Sequence, residues 1–348
     1  MTRLLPLLAL LGCTPEPSTK APADSTPASA DDSGPEADAD SDADADSDTD
    51  ADSDADTDTD TDADTDVPEE QVVRFVALGD GGEGNNDQYT NANAIASVCA
   101  ERGCDFALYL GDNFYNDGVY SVDDEQFETK FEQPYAVVDL PFYVVLGNHD
   151  YGELSLFDYK VEFEIDYSNH SDKWTMPDRY YTVSHEHVQL FGLDTNQIMI
   201  WGGDDQQAWL NAQLAASTAT WKIAFGHHPY ISNGQHGNAG AYEGYEWLPI
   251  ANGATIKAFM DESLCGQVDV YFAGHDHNRQ WPVAVCGTEF VVSGAAAKTT
   301  DLEGRGNQVY FEDDTLEGFF WVEIRDETFT GAFYNLYGEL EYTRSFSK

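Results

Sequence analysis

Positive charge is what this chain has least of. It carries 16 Lys and Arg against 65 Asp and Glu, for a formal net charge of −49. Phosphate backbones need basic patches, so this balance argues against nucleic acid as a partner. Cysteine is also scarce, with five in 348 residues, and no spacing among them matches a zinc site. The apolar run at the front, "MTRLLPLLALLGC", has one basic residue and Gly12 before Cys13. It falls short of the ~20 residues a spanning helix needs and reads as a secretory signal.

Leu10-Leu11-Gly12-Cys13 resembles a bacterial lipobox, although Leu11 is a less usual residue in the middle of that motif. The resemblance implies a signal at residues 1–12, cleavage before Cys13 and lipidation of the Cys13 thiol. The alternative is a plain signal peptide cut nearby. Residues 13–67 read as a disordered, Asp-rich tether. From Asp38 to Asp66 every even position is Asp, and the odd ones are Ala, Ser or Thr. Like charges along one face oppose strand pairing, and such a composition buries no core. Self-repulsion extends it. Drawn out, about 55 residues reach roughly 190 Å, and a flexible coil averages around 40 Å. The tract lacks the Gly turn and closing Glu of an EF-hand, so only diffuse cation binding is expected. The expected location is the outer membrane or cell surface, or the exterior. Membrane contact is expected only through lipid on Cys13.

With Cys13 lipidated, Cys99, Cys104, Cys265 and Cys286 remain, and four cysteines allow three pairings. Export favours disulfides over free thiols. The pairings that close the shorter loops are Cys99–Cys104 and Cys265–Cys286.

From residue 68 the pattern becomes that of one domain, to residue 348. Val72–Leu78, Phe106–Leu110, Phe142–Leu146, Lys222–Phe225 and Val268–Ala273 read as buried strands. Helices are predicted over Asn91–Cys99, Asp123–Phe131, Asp204–Leu214 and Thr255–Ser263, with Asp204 as an N-cap. Tyr180–Val183, Val188–Leu193, Glu289–Ser293, Phe319–Ile324 and Phe329–Tyr334 read as strands without long helices between them. The predicted class is α/β, a sheet sandwich with helices outside. The Gly-rich loop Gly234–Gly244 is expected to be mobile. No long amphipathic seam points to an oligomer, so a monomer is expected.

Each of five buried strands runs into a glycine followed by a polar group. They are Gly79-Asp80-Gly81-Gly82, Gly111-Asp112-Asn113-Phe114-Tyr115, Gly147-Asn148-His149-Asp150, Gly226-His227-His228 and Gly274-His275-Asp276-His277. Ligand sites form at the carboxyl ends of strands in α/β sheets. Glycine lets the chain turn there so that the next side chain crosses the sheet edge. Hard oxygen with imidazole, and no thiolate, suits iron, manganese or zinc. The donors are too many for one ion and about right for two that share a carboxylate. Such pairs clamp an in-line displacement at phosphorus.

These blocks, in this order from about residue 72 to 280, resemble the calcineurin-like metallophosphoesterase superfamily. Within it they resemble the purple acid phosphatases of the tartrate-resistant type. Most of the superfamily carries Asp-x-His in the first block; here Asp80-Gly81-Gly82 has no histidine. The resemblance implies that Tyr115 replaces it. It also implies a four-layer α-β-β-α sandwich. One metal, ferric in the family, would be held by Asp80, Asp112, Tyr115 and His277. The other, divalent iron, zinc or manganese, would be held by Asn148, His227 and His275, with Asp112 bridging. His149 resembles a histidine that contacts substrate phosphate and helps the leaving group depart. His236, nine residues after His227, resembles a second substrate-side histidine, a general acid. The implied reaction is hydrolysis of phosphate monoesters by attack of a metal-bound hydroxide. A phosphodiesterase of the same superfamily and an inert, tethered binding module are the alternatives. Asp150 and Asp276 are expected either to orient histidines or to be plain surface carboxylates. His228 is expected to support its neighbours, and His185 and His187 to share a strand face. Trp174 is expected to pack on the sheet.

Overall fold

Val72–Leu78 ends in four consecutive fully buried residues, a pattern that fits a strand covered on both faces. In the computed structural model residues 70–348 are described, apart from 153, 245, 246, 249 and 250. The signal, lipobox, Cys13 and tether expectations lie outside the described residues.

The strands in chain order are β1 (Val72–Leu78), β2 (Phe106–Tyr109), β3 (Phe142–Val144), β4 (Trp174–Thr175), β5 (Tyr181–His185), β6 (Val188–Gly192), β7 (Trp221–Phe225), β8 (Val270–Ala273), β9 (Arg279–Pro282), β10 (Glu289–Ser293), β11 (Val309–Asp313), β12 (Gly318–Arg325), β13 (Thr328–Asn335) and β14 (Leu340–Ser347). The helices are α1 (Asn86–Arg102), α2 (Glu125–Phe127), α3 (Val161–Tyr167), α4 (Thr195–Trp201), α5 (Asp204–Ala216) and α6 (Ala254–Ser263).

Two seven-stranded sheets result, in the orders β14-β13-β12-β1-β2-β3-β4 and β11-β9-β10-β8-β7-β6-β5. In the first, β1, β2 and β3 run parallel; in the second, so do β6, β7, β8 and β10. The sheets meet through aromatic side chains. Phe75 lies edge-on to Phe272 at 5.8 Å, Trp281 to Phe320 at 5.1 Å, and Trp221 reaches Phe329 at 5.8 Å. Helix α1 buries Ala92, Ile95 and Val98 in the same core, from the outer side of the first sheet. Helices α4, α5 and α6 bury Ile198, Leu210, Leu214, Ile256, Phe259 and Met260 with Leu193, Ala224 and Tyr271 of the second. This is the expected four-layer α-β-β-α sandwich. Both expected disulfides are present, Cys99–Cys104 at the end of α1 and Cys265–Cys286 beyond α6. Trp174 packs as expected, with its ring 4.8 Å from Phe131 and its Nε1 donating to Glu164 O. No helix among the described residues is long and apolar enough to cross a membrane.

Some expectations need correction. Helix α1 begins at Asn86, five residues early, because Asn85 caps it by accepting from Gln88 N at 2.9 Å. Gly203, not Asp204, occupies the N-cap of α5; Asp204 stands in the first turn, where its charge meets the positive helix end. The helix expected over Asp123–Phe131 is the short α2, capped by Asp124, running into a wider turn over Glu128–Glu132. The loop expected to be mobile is hydrogen-bonded to its surroundings. Ala239 N donates to Tyr230 O, Arg305 Nε donates to Gly234 O, and Asp276 accepts from His236 N.

Candidate metal centre

The five glycine blocks converge on one end of the sandwich, three from the first sheet and two from the second. Across the gap between sheets His275 N donates to Asp80 Oδ2 at 2.9 Å, and main-chain bonds join neighbouring blocks within each sheet. Asp80 N donates to Gly111 O at 3.0 Å and Gly274 N to His227 O at 3.0 Å. The backbone strain does not fall where the sequence suggested. Of the five leading glycines only Gly111 has a left-handed φ; the strained residues are Asp80 (φ 61°), Asp112 (φ 52°) and His275 (φ 71°). Left-handed backbone at non-glycine residues costs of order 1–3 kcal/mol each and collects at functional sites. The glycines serve close approach instead. A Cβ on Gly147 would stand 2.2 Å from Asp112 Oδ1, and one on Gly274 would stand 2.4 Å from Asp80 Oδ2.

The side chains form two joined groups. In the first, the Tyr115 hydroxyl lies 2.9 Å from Asp80 Oδ1 and 3.1 Å from His277 Nε2, and that nitrogen is 3.4 Å from Asp80 Oδ1. In the second, His227 Nε2 lies 3.1 Å from Asn148 Oδ1, 3.1 Å from His275 Nδ1 and 3.4 Å from Asp112 Oδ1. Asp112 belongs to both, since its carboxylate also falls within 4.8 Å of the ligand atoms of Asp80 and His277. All seven residues named from the sequence as metal ligands therefore come together.

The donor chemistry fits cations. His227 Nδ1 faces the Leu110 carbonyl at 2.9 Å, an acceptor only, so in the neutral ring the proton sits on Nδ1 and Nε2 presents a lone pair. That lone pair confronts the oxygens of Asn148 and Asp112, an arrangement a cation among them satisfies. Burial, reinforced by neighbouring imidazoles, holds His275 well below the usual histidine range. Burial with Lys298 does the same for His277, so both rings are neutral donors. Burial raises Asp80 to about 7. Asp112 is also buried, yet His227 and His149 outweigh that and hold it far below the carboxylate range. Burial, then Asp112 and Asp80, push Tyr115 well above the phenol range, so a phenolate here requires a cation in contact.

His149 and His236 flank the cluster. His149 Nδ1 faces Asn116 O at 2.8 Å, and its Nε2 lies 4.0 Å from Asp112 Oδ2. The His236 ring stacks on His275 at 3.9 Å, and its Nδ1 hydrogen-bonds Glu243. His228 is buried against Thr195 Oγ1 at 2.8 Å. His185 stacks on Phe106 at 4.4 Å, while His187 falls in the turn after β5. Among the described residues neither joins a metal-type cluster.

Asp150 and Asp276 are not surface carboxylates, and neither accepts a hydrogen bond from a histidine ring. Both are buried and grip main chain. Asp276 accepts from His236 N and Ser232 Oγ. Asp150 accepts from Gly147 N (2.7 Å), Asn113 N (2.9 Å) and Phe114 N (3.1 Å), clamping the loops that carry Asn148 and Asp112. Behind it lies Glu164 of α3, which with Asp150 holds the Asn113 amide. Burial pushes both carboxyls up, Glu164 to about 8, so the pair retains a proton at neutral pH. Glu164 and Glu243 went unrecognised in the sequence. Neither lies in a glycine block; a glutamate inside the apolar pattern of α3 was the one faint signal. Replacing Asp150 by Ala frees both loops. The expected result is metal affinity lowered about 10–100-fold, read by titrating metal into the stripped protein.

The sequence pattern described as calcineurin-like phosphoesterase matches residues 73–279. The chain belongs to the calcineurin-like phosphoesterase family. This phosphoesterase is 31% identical to tartrate-resistant acid phosphatase type 5 of Rattus norvegicus over 294 residues, covering 72% of this chain and 83% of that protein. Among solved structures it is similar to GAP50, described as the anchor in the inner membrane complex of Plasmodium. That likeness has a TM-score of 0.64 and 21% identity, and covers 79% and 89% of the two chains. It also resembles a purple acid phosphatase from yellow lupin, Lupinus luteus, with a TM-score of 0.59 and 16% identity over 80% of this chain and 54% of that one. The two structural likenesses establish the fold; the likeness to the rat enzyme ties the phosphoesterase to the purple acid phosphatases.

Proposed function

We propose that this phosphoesterase is a dimetal phosphomonoesterase of the purple acid phosphatase type, with Fe(III) beside a divalent iron, zinc or manganese. One observation carries the reading. The first block offers Asp80 without an imidazole, and the Tyr115 hydroxyl stands in the gap, 2.9 Å from Asp80 and 3.1 Å from His277. Asp80, Asp112, Tyr115 and His277 would hold the ferric ion. Asn148, His227 and His275 would hold the divalent one, with Asp112 shared. Two cations there supply Lewis acidity at phosphoryl oxygens and water acidic enough to give a nucleophile near neutral pH.

The remaining work falls to the chain. Leu110 O fixes the His227 tautomer, and Asp150 holds two ligand loops in register. His149, braced by Asn116 O, offers Nε2 to a phosphoryl oxygen. His236, braced by Glu243, offers its ring to the leaving oxygen. On the same reading the domain, residues 68–348, works outside the cell, at the end of the tether formed by residues 13–67 on a lipidated Cys13.

The test is a visible spectrum with metal analysis on one sample, followed by turnover of a monoester and a bis-ester. A broad phenolate-to-ferric band, two metals per chain and preference for the monoester are the expected results. A colourless two-metal protein that prefers the bis-ester overturns the reading in favour of a phosphodiesterase. A metal-free protein that takes up none points to an inert module.

A further inference from the structure

Among the described residues, two lysines of this cation-poor chain reach Tyr115. Lys130 donates its ammonium to the Tyr115 carbonyl. Lys298 stands over the aromatic ring itself, with Nζ 3.2 Å from the ring centroid. Glu83 Oε1 holds that ammonium at 2.6 Å. The placement is built in, because the loop carrying Lys298 is stitched to the metal centre on both sides. Ala296 N donates to Gly79 O at 3.1 Å, and Thr300 N donates to His277 O at 2.8 Å. The side chain is 29% exposed, so its charge is only partly screened. None of the five glycine blocks contains Lys298 or Glu83.

We propose that Lys298 tunes how strongly Tyr115 donates electrons to its metal, with Glu83 setting how much of the Lys298 charge the ring feels. The inference rests on the reading of Tyr115 as a ferric ligand. A cation over an aromatic face is attracted by the ring's π electrons and lowers their energy. Moving an electron from that ring to ferric iron then requires more energy. Lys298 touches neither the metals nor the reacting phosphorus in this account; it acts through Tyr115, as partners outside a ligand shell do.

The test compares visible absorption maxima of the full-length, metal-loaded wild type, Lys298→Met, Lys298→Arg and Glu83→Gln, with metal content measured on each. Methionine keeps the unbranched stem and removes the charge. The expected result is a band moved to longer wavelength in Lys298→Met and to shorter wavelength in Glu83→Gln. Lys298→Arg should stay near the wild type. Stoichiometry should be two metals throughout. An unmoved band in a fully loaded Lys298→Met protein overturns the inference, and a raised KM in that variant assigns Lys298 to substrate phosphate instead. A wild type that holds two metals without the band fails at Tyr115, and the tuning role falls with it. A coloured wild type with unmoved variants sinks the tuning role alone.

Discussion

Asp112→Asn is expected to release both metals and to lower phosphatase activity by more than about 10³-fold. Losing one preorganised donor from an active site already costs 10²–10³, and this residue serves two donor groups. Asparagine is the informative replacement. Asp112 sits at φ 52° and accepts from His149 N at 2.9 Å. Asparagine tolerates the left-handed region and retains one carbonyl oxygen for that bond. Alanine would add backbone strain to the lost charge and blur the result. What asparagine removes is the negative charge of a carboxyl whose pKa, despite burial, lies far below the carboxylate range. Metal analysis of the purified variant beside its circular dichroism checks this. A folded variant that keeps two metals and full activity refutes the shared-carboxylate arrangement.

The positions that form the centre were legible because each follows a buried strand. Strand ends are announced by apolar runs stopping at glycine, and the chain spells out five of them. Once Val72–Leu78, Phe106–Leu110 and Phe142–Leu146 were seen to be strands, Asp80, Asp112 and Asn148 had one rim on which to meet. The partition of strain was not legible. Glycine looked like the turning residue, yet Asp80, Asp112 and His275 carry the left-handed backbone while Gly147 and Gly274 make room. Nor were the supports legible. Glu164 reaches the centre from α3 and Glu243 from a loop seven residues past His236, and no local pattern links either to the metals. Strand β14, at one edge of the first sheet, was missed for a different reason. In Leu340–Ser347 no residue is fully buried, so its apolar positions are too sparse to mark a strand. What orders it is main-chain pairing with β13.

His236→Ala is expected to separate substrates by their leaving groups. A general acid matters in proportion to how badly the departing oxygen needs a proton. An alkyl phosphate should lose about 10²–10⁴-fold in kcat, whereas an activated aryl phosphate should lose about tenfold or less. The local structure supports the protonated ring. Burial alone would lower the His236 pKa, but the Glu243 hydrogen bond and the Asp276 carboxylate outweigh it and raise it above the ordinary histidine value. An acid catalyst acts while it holds its proton, so a raised pKa carries activity to higher pH. Glu243→Gln removes the neighbouring charge, and the alkaline limb of kcat should then move to lower pH with alkyl substrates. His149→Ala provides the contrast. Its ring is braced by Asn116 O rather than a carboxylate, and its Nε2 lies toward Asp112. A loss shared equally by alkyl and aryl substrates is expected there, as for a group that binds the phosphoryl oxygens. Should the leaving-group dependence appear in His149→Ala and not in His236→Ala, the two roles are exchanged, and the Glu243 pair braces a binding residue instead.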